Sequence, residues 1–171
     1  MRRIAIALAV VAAVLVWPLV ALAGDHKPIN PNSNKPLTMA VIGDTPYGDA
    51  QVAAFPNLVA DVNADPKVDL TLHVGDIKNG SSLCTDAYFA LIRGYFDSFE
   101  DPFVLTPGDN EWTDCHRVNN GAFNPLERLA RLREVFFPDP GKTLGQQSVA
   151  VKSQAQQGFP ENVTYTRNDV A

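Results

Sequence analysis

Three apolar runs in this sequence each end in a Gly-Asp step, and this repeated pattern constrains the fold more than any other feature. The steps are Gly43-Asp44, Gly75-Asp76 and Gly108-Asp109. Apolar runs bounded by glycine and proline are typical of strands that are buried on both faces, as in parallel sheets. Because helical patterns separate the runs, the sequence predicts a β-α-β-α-β arrangement of the α/β class, with mostly parallel strands flanked by helices.

The three aspartates of these steps are expected at one edge of the predicted sheet. The carboxyl ends of parallel strands share an edge, and open α/β folds bind their ligands there. Carboxylates gathered at one edge repel each other and raise one another's pKa unless a cation lies between them. The simplest interpretation of Asp44, Asp76 and Asp109 is therefore a metal site.

The composition is that of a single soluble domain. The chain has 171 residues, of which 46% are hydrophobic and 19% charged, and its net charge is -5. It contains no basic run, so electrostatics argue against binding to nucleic acid.

The N-terminus has the pattern of a secretory signal peptide. Arg2-Arg3 precede an apolar stretch, and Ala21-Leu22-Ala23 is a small-x-small cleavage site. We expect a signal peptide over residues 1–23, an extended leader over 24–36 and a domain over 37–171. This organisation predicts a secreted or periplasmic protein with no stable membrane association after cleavage. The alternative is an uncleaved anchor, because the apolar stretch is long enough to span a bilayer.

The predicted export bears on the state of the two cysteines. Cys84 follows the second Gly-Asp step and Cys115 follows the third, so both lie in loops at the same edge of the sheet. In an oxidising compartment a pair of cysteines favours a disulfide. The alternative is two metal ligands, although carboxylate-rich sites prefer hard cations and thiolates prefer soft ones.

Local signals predict where two of the helices begin. Asp49 is a candidate N-cap for the first helix, with Pro56 as a kink or restart within it. Asn124, followed by Pro125 and Glu127, is the clearest helix start in the chain.

Apolar residues at helical spacing predict the core, and a histidine lies inside the second strand. His73 is interpreted as a hydrogen-bonded core histidine, with a supporting role behind a metal site as the alternative. His116, beside Cys115, is interpreted as a solvated loop residue, with a role as general acid as the alternative. The predicted core residues of the second helix are Phe89, Ile92, Phe96 and Phe99.

The motifs around the three aspartates resemble those of the calcineurin-like metallophosphoesterases. That family is read as Gly-Asp-x-His, Gly-Asp-x-x-x-Gly and Gly-Asn-His-Glu at successive strand ends. This chain has Gly43-Asp44, then Gly75-Asp76-Ile77-Lys78-Asn79-Gly80, then Gly108-Asp109-Asn110-Glu111. The resemblance implies a β-sandwich flanked by helices, with two metal ions held between the loops.

The resemblance also implies roles for individual residues. Asp44 would bind the first metal, Asp76 would bridge both, and Asp109 would bind the second. Such oxygen donors suit divalent Mn, Fe or Zn, and two ions would activate a hydroxide for attack on a small phosphorylated substrate. Asn110 stands at the position of the catalytic residue and would act on or bind the substrate. Tyr47 is predicted to orient the substrate, with packing against the leader as the alternative.

The chain departs from the family pattern at its histidines. Pro46 and Asn110 stand where the first and third motifs have histidine, and no histidine follows His116 to supply the later family ligands. Glu111 keeps the family residue, which supports its loop through hydrogen bonds, and a role as metal ligand is the alternative. The chain therefore looks like the N-terminal portion of the fold, and we expect it to be incomplete.

Two functional hypotheses follow from these matches and departures. The first is an exported metal-dependent phosphoesterase, variant or truncated, that becomes a hydrolase when a C-terminal segment completes it. The second is a non-catalytic remnant or binding module of the same fold, with weak metal binding or none.

Overall fold

The computed structural model describes residues 36–166 and has a three-stranded parallel sheet at its centre. The strands are β1 (Met39–Ile42), β2 (Leu70–His73) and β3 (Phe103–Leu105), hydrogen-bonded in the order β1-β2-β3. Both pairs are parallel. The predicted α/β class is confirmed, because short apolar runs ending in glycine turns form adjacent parallel strands.

Two helices make the crossovers between these strands, and a third follows β3. They are α1 (Gly48–Asn63), α2 (Asp86–Phe96) and α3 (Pro125–Phe136). Among residues 36–166, no helix is both long and apolar enough to cross a membrane. The signal peptide predicted over 1–23, and all of the predicted leader except Pro36, lie outside the described residues.

The start of α1 corrects the prediction that Asp49 is its N-cap. The helix begins at Gly48, so Tyr47 is the N-cap residue and Asp49 lies within the first turn. The side chain of Gln51 reaches back and accepts a 2.6 Å hydrogen bond from the backbone N–H of Tyr47. An acidic residue in the first turn still favours the positive end of the helix dipole. The helix continues through Pro56 as one element, so no restart occurs there.

The start of α3 agrees with its sequence signal. Asn124 is the N-cap, and its side-chain oxygen accepts hydrogen bonds from the backbone N–H groups of Leu126 and Glu127 at 2.9 and 3.3 Å. These bonds satisfy two donors that the helix itself leaves free. Pro125 occupies the first helical position, where its missing N–H costs nothing.

Aromatic side chains fill the core between the sheet and the helices. Phe96 stacks on Phe103 of β3 with ring centroids 4.2 Å apart, and Phe99 packs on the same ring at 4.8 Å. Such pairs stabilise a core beyond the area that they bury. The four residues predicted for the second helix, Phe89, Ile92, Phe96 and Phe99, are all buried, but α2 ends at Phe96, so Phe99 packs into the core from beyond the helix.

The other face of the sheet is only partly covered. An antiparallel hairpin of β4 (Lys152–Gln154) and β5 (Phe159–Thr164) lies across a cleft from Leu72 and Val104. On β1, Met39 and Val41 remain exposed. The helices and the aromatic core therefore hold the sheet from one side and position the loops at its carboxyl edge.

Candidate functional site

The carboxyl edge of the sheet carries an aspartate after each strand. Asp44 follows β1, Asp76 follows β2 and Asp109 follows β3. The backbone N–H of Asp44 donates to the carbonyl of Gly75 at 3.1 Å, which joins the first loop to the second. The predicted placement of the Gly-Asp steps at one edge therefore agrees with the structure.

Two glycines allow the second and third loops to touch. Gly75 has a φ of 99°, and a Cβ there would lie 2.6 Å from the backbone nitrogen of Gly108. A Cβ on Gly108 would in turn lie 2.1 Å from Asp76 Oδ1. Only residues without a side chain fit such an approach. The backbone N–H of Asn110 then donates to Asp76 Oδ1 at 3.3 Å.

Tyr47 brings the first two aspartates together. Its hydroxyl lies 3.0 Å from Asp44 Oδ1 and 3.3 Å from Asp76 Oδ2, and it accepts a 3.4 Å hydrogen bond from Asn110 Nδ2. One hydroxyl has one proton, so Tyr47 donates to one carboxylate at a time. Of the predicted site residues, Asp44, Tyr47, Asp76 and Asn110 thus form one hydrogen-bonded group. The tyrosine thus contacts the two aspartates, while the leader of its alternative interpretation lies outside the described residues except for Pro36.

The electrostatics of this group keep Tyr47 neutral. Burial raises the pKa of its hydroxyl, and the hydrogen bond to Asp44 and the charge of Asp76 raise that pKa further. A phenol that stays protonated remains a hydrogen-bond donor throughout the neutral range.

Asp109 does not join the group that Tyr47 organises. Its side chain is exposed, and its carbonyl accepts hydrogen bonds from the backbone N–H groups of Trp112 and Asp114 at 3.3 and 3.0 Å. Within residues 36–166, no three His, Cys, Asp or Glu side chains come together in a way that could hold a metal ion. The metal-binding role of Asp109 stays a prediction.

Lys78 lies buried beneath the site and ties two of its loops together. The side chain is fully buried, and its ammonium donates to the carbonyls of Asn79 and Asn110 at 2.8 and 2.9 Å. Burial lowers the pKa of Lys78, while the charges of Glu111, Asp114 and Asp76 oppose that change. The ammonium holds the backbone of Asn110 in place from below.

Glu111 supports the third loop from inside. It is fully buried, and its Oε1 accepts a 2.6 Å hydrogen bond from the backbone N–H of Gly108. Burial raises the pKa of Glu111 to about 7, and the charge of Asp76 adds to the effect. Its Oε2 has no hydrogen-bond partner among the described residues. Glu111 therefore has the loop-supporting place that its position in the motif implies.

His73 links β2 to the first loop. Its Nε2 lies 2.8 Å from the carbonyl of Thr45, and its Nδ1 accepts a 3.1 Å hydrogen bond from the backbone N–H of Gly75. A carbonyl can only accept, so Nε2 carries the proton and the ring is neutral. The predicted hydrogen-bonded core histidine is thus present. It holds the backbone of Thr45, which follows Asp44, and of Gly75, which precedes Asp76.

His116 fits its interpretation as a solvated loop residue. The side chain is exposed, and its Nδ1 lies 2.7 Å from the carbonyl of Thr113 within the same short 3-10 helix, Thr113–His116.

The predicted disulfide is present and joins the loops behind the site. Cys84 and Cys115 are bonded and completely buried. Both sulfur atoms lie 3.8 Å from the carbonyl of Asn110, the same carbonyl that accepts from Lys78. The bridge and the buried ammonium therefore hold the same stretch of backbone.

Sequence reasoning did not identify Lys78 or Arg117 as residues of this region. Arg117 forms an ion pair with the nearly buried Asp114 at 2.6 Å and donates to the carbonyl of Gly80 at 3.3 Å. Lys78 lies inside the second motif, at a position that the motif leaves open. Arg117 lies six residues after the third motif in a stretch without periodicity, so only loop packing reveals it.

The oxygen donors at this edge permit a test of whether the described residues fit the family's metals. Carboxylate oxygens suit hard or borderline dications. Asp44 and Asp76 both reach one hydroxyl within 3.3 Å, so these two carboxylates are the residues that would hold a cation. A third ligand of this kind does not join them within residues 36–166. Within residues 36–166, these donors offer a cation two carboxylates and do not assemble the two-metal centre that the resemblance implies.

One of three comparisons with known proteins found a match, and it agrees with the α/β fold described above. A search of curated proteins and a search of solved structures each found no match. The family model described as calcineurin-like phosphoesterase matches residues 37–167, a range that includes every residue of the site described above. The chain therefore belongs to the calcineurin-like phosphoesterase family.

Proposed function

We propose that this chain is an exported, metal-dependent phosphoesterase that hydrolyses a phosphate ester of a small molecule. The observation that carries the proposal is the group formed by Asp44, Tyr47, Asp76 and Asn110 where the parallel strands end. Membership of the calcineurin-like phosphoesterase family supports the choice of reaction. The N-terminal signal pattern supports a secreted or periplasmic location.

Asp44 and Asp76 are the residues that would hold a divalent cation, for which Mn, Fe and Zn are the candidates. Such an ion, when bound, would polarise a phosphoryl oxygen and lower the pKa of a water molecule. The family's second ion would need ligands beyond those that residues 36–166 bring together.

The chain's own donors have separate tasks in this proposal. A phenol is protonated in the neutral range, so the hydroxyl of Tyr47 can donate a hydrogen bond to a phosphoryl oxygen. Asn110 offers its Nδ2 at the same place. An amide does not titrate in the neutral range, so Asn110 binds and orients the phosphate rather than transferring a proton. Lys78 and Glu111 fix the loop from which Asn110 projects.

The alternative proposal is a binding module of the same fold without catalysis. Two features favour it: the family's third-motif histidine is replaced by Asn110, and Asp109 lies outside the carboxylate group. A phosphate that approaches Asp44 and Asp76 without a cation is repelled, so this module would bind its ligand weakly.

Hydrolysis of a chromogenic phosphate monoester and diester with Mn²⁺, Fe²⁺ or Zn²⁺ tests the proposal. We expect weak metal-stimulated turnover by the wild type, because two carboxylates make a poor metal site, and a further fall in kcat/KM of about 100-fold or more for Asp76→Asn, which removes one of two charged ligands. Asp61→Asn is the matched control, since Asp61 is exposed near the far end of α1. A wild type that hydrolyses neither ester with any of these metals would support the binding module instead.

A further inference from the structure

Arg117 lies beside the site, next to Gly80 at the end of the second motif. A Cβ on Gly80 would lie 3.3 Å from Arg117 Nη1, 3.3 Å from Asn110 Oδ1 and 3.7 Å from Asp114 Oδ2. The guanidinium and the Asn110 amide therefore border the same small space. A Cβ at position 80 would crowd these atoms, so glycine allows the Arg117 and Asn110 side chains to lie this close to each other.

The guanidinium of Arg117 is held in place through one of its three nitrogen atoms. Asp114 Oδ2 and the carbonyl of Gly80 both contact Nη1, at 2.6 and 3.3 Å. Among the described residues, these contacts leave the N–H groups on Nε and Nη2 for a ligand. The Arg117 side chain is 47% exposed while Asp114 is 8% exposed, so the pair presents its cation to solvent.

The positive charge of Arg117 lies beside an acidic part of the site. Asp44 and Asp76 make the edge acidic, and the ammonium of Lys78 is fully buried beneath it. A phosphorylated substrate is an anion and needs an accessible positive charge beside these carboxylates. Arginine suits this task, since its planar guanidinium offers paired N–H donors to the oxygens of a phosphate.

We propose that Arg117 is a substrate-binding residue that donates hydrogen bonds from Nε and Nη2 to the phosphate of the substrate, beside Asn110. The absence of a side chain at Gly80 brings Arg117 and Asn110 close enough to bind one phosphate together. This inference rests on the proposed function for the class of substrate, and on the contacts of Gly80, Asn110 and Arg117 for its place.

Binding of inorganic phosphate, measured by titration calorimetry on the full chain in Mn²⁺ buffer, tests the inference. We expect the wild type to bind phosphate and Arg117→Gln to raise its Kd by about tenfold or more, as for other hydrogen bonds from charged groups. Gly80→Ala should weaken binding as well, although it changes no charge. Arg131→Gln is the control, because Arg131 also forms an i,i+3 ion pair, with Glu134 on the exposed face of α3.

Thermal melts establish that each variant is folded. Arg117→Gln removes the ion-pair partner of Asp114; if this change unfolds the protein, Gly80→Ala provides the second test. The inference is overturned if the wild type binds no phosphate, or if Arg117→Gln and Gly80→Ala bind it as the wild type does. Ester hydrolysis separates this outcome from failure of the proposed function. Turnover with an unchanged KM in Arg117→Gln contradicts only the role of Arg117, whereas Arg117-dependent phosphate binding without turnover contradicts only the hydrolase.

Discussion

Asp44 and Asp76 have backbone conformations that most residues avoid. Their φ angles are 53° and 56°, in the left-handed region, and Ala122 is the other non-glycine residue with positive φ among the described residues. Aspartate adopts this region more readily than most side chains, but the conformation still has a cost. Backbone strain of this kind clusters at functional sites, where surrounding contacts maintain it. The two residues that meet at Tyr47 are thus also the ones that the loops hold in an unfavourable conformation.

His73 predicts a pH dependence of stability at the residue scale. Burial lowers its pKa below the ordinary value of 6.5, and the N–H of Gly75 that points at Nδ1 opposes a second ring proton. The unfolded chain therefore binds a proton that the folded chain refuses, so this contribution to stability is present above pH 6.5 and is lost as pH falls towards the lowered pKa.

Denaturant unfolding between pH 5 and 8 measures this effect against His73→Gln, which cannot titrate. We expect the wild-type advantage over the variant to shrink as the pH falls below about 6.5. An advantage that is equal at pH 5 and pH 8 would contradict the neutral, buried histidine.

At the scale of single elements, the sequence predicted what depends on local signals. The Asn124-Pro125 start of α3 and the strands β1 to β3 follow from residues within a few positions of each other. The prediction that Asp49 caps α1 was wrong, because the side chain of Gln51, four residues from Tyr47, fixes the start of the helix. Lys78 and Arg117 could not be assigned, since the contacts that join them to the site, with Asn110 and Gly80 respectively, span more than thirty residues of sequence.

The disulfide gives an element-scale prediction that also tests export. It joins the stretch before α2 to the 3-10 helix Thr113–His116, across 31 residues of chain. Closing such a loop constrains the unfolded chain by about 3–4 kcal/mol, so the bridge is a substantial part of the stability.

Intact mass analysis of the protein recovered outside the cytoplasm measures both features. We expect a chain that begins at Gly24 and gains about two mass units on reduction after unfolding, as for one disulfide. A chain that retains Met1 in the membrane fraction would contradict cleavage. Two thiols that react with an alkylating agent without reductant would contradict the bridge.

At the scale of the whole molecule, the fold brings three distant loops to one edge of a sheet. The aromatic core holds β2 and β3 against the helices, while Lys78 and the disulfide hold the loops against each other. The sequence predicted this edge because parallel strands place their carboxyl ends together. It did not predict that Tyr47 would join two aspartates while Asp109 stays apart, because side-chain contacts between loops leave no periodic signal.

The central claim is that Asp44 and Asp76 form the cation-binding part of a phosphoesterase site, and thermal melting with Mn²⁺ or chelator tests it most directly. A ligand at a hundredfold excess over its Kd stabilises a protein by about 2.7 kcal/mol, or about 8 °C in Tm for a chain of this size. We expect Mn²⁺ to raise the Tm of the wild type and of Asp61→Asn by about that amount. We expect Asp76→Asn to remain folded and to lose the rise. If Mn²⁺ and chelator leave the wild-type Tm unchanged, the account of this site as a cation-dependent phosphoesterase is wrong.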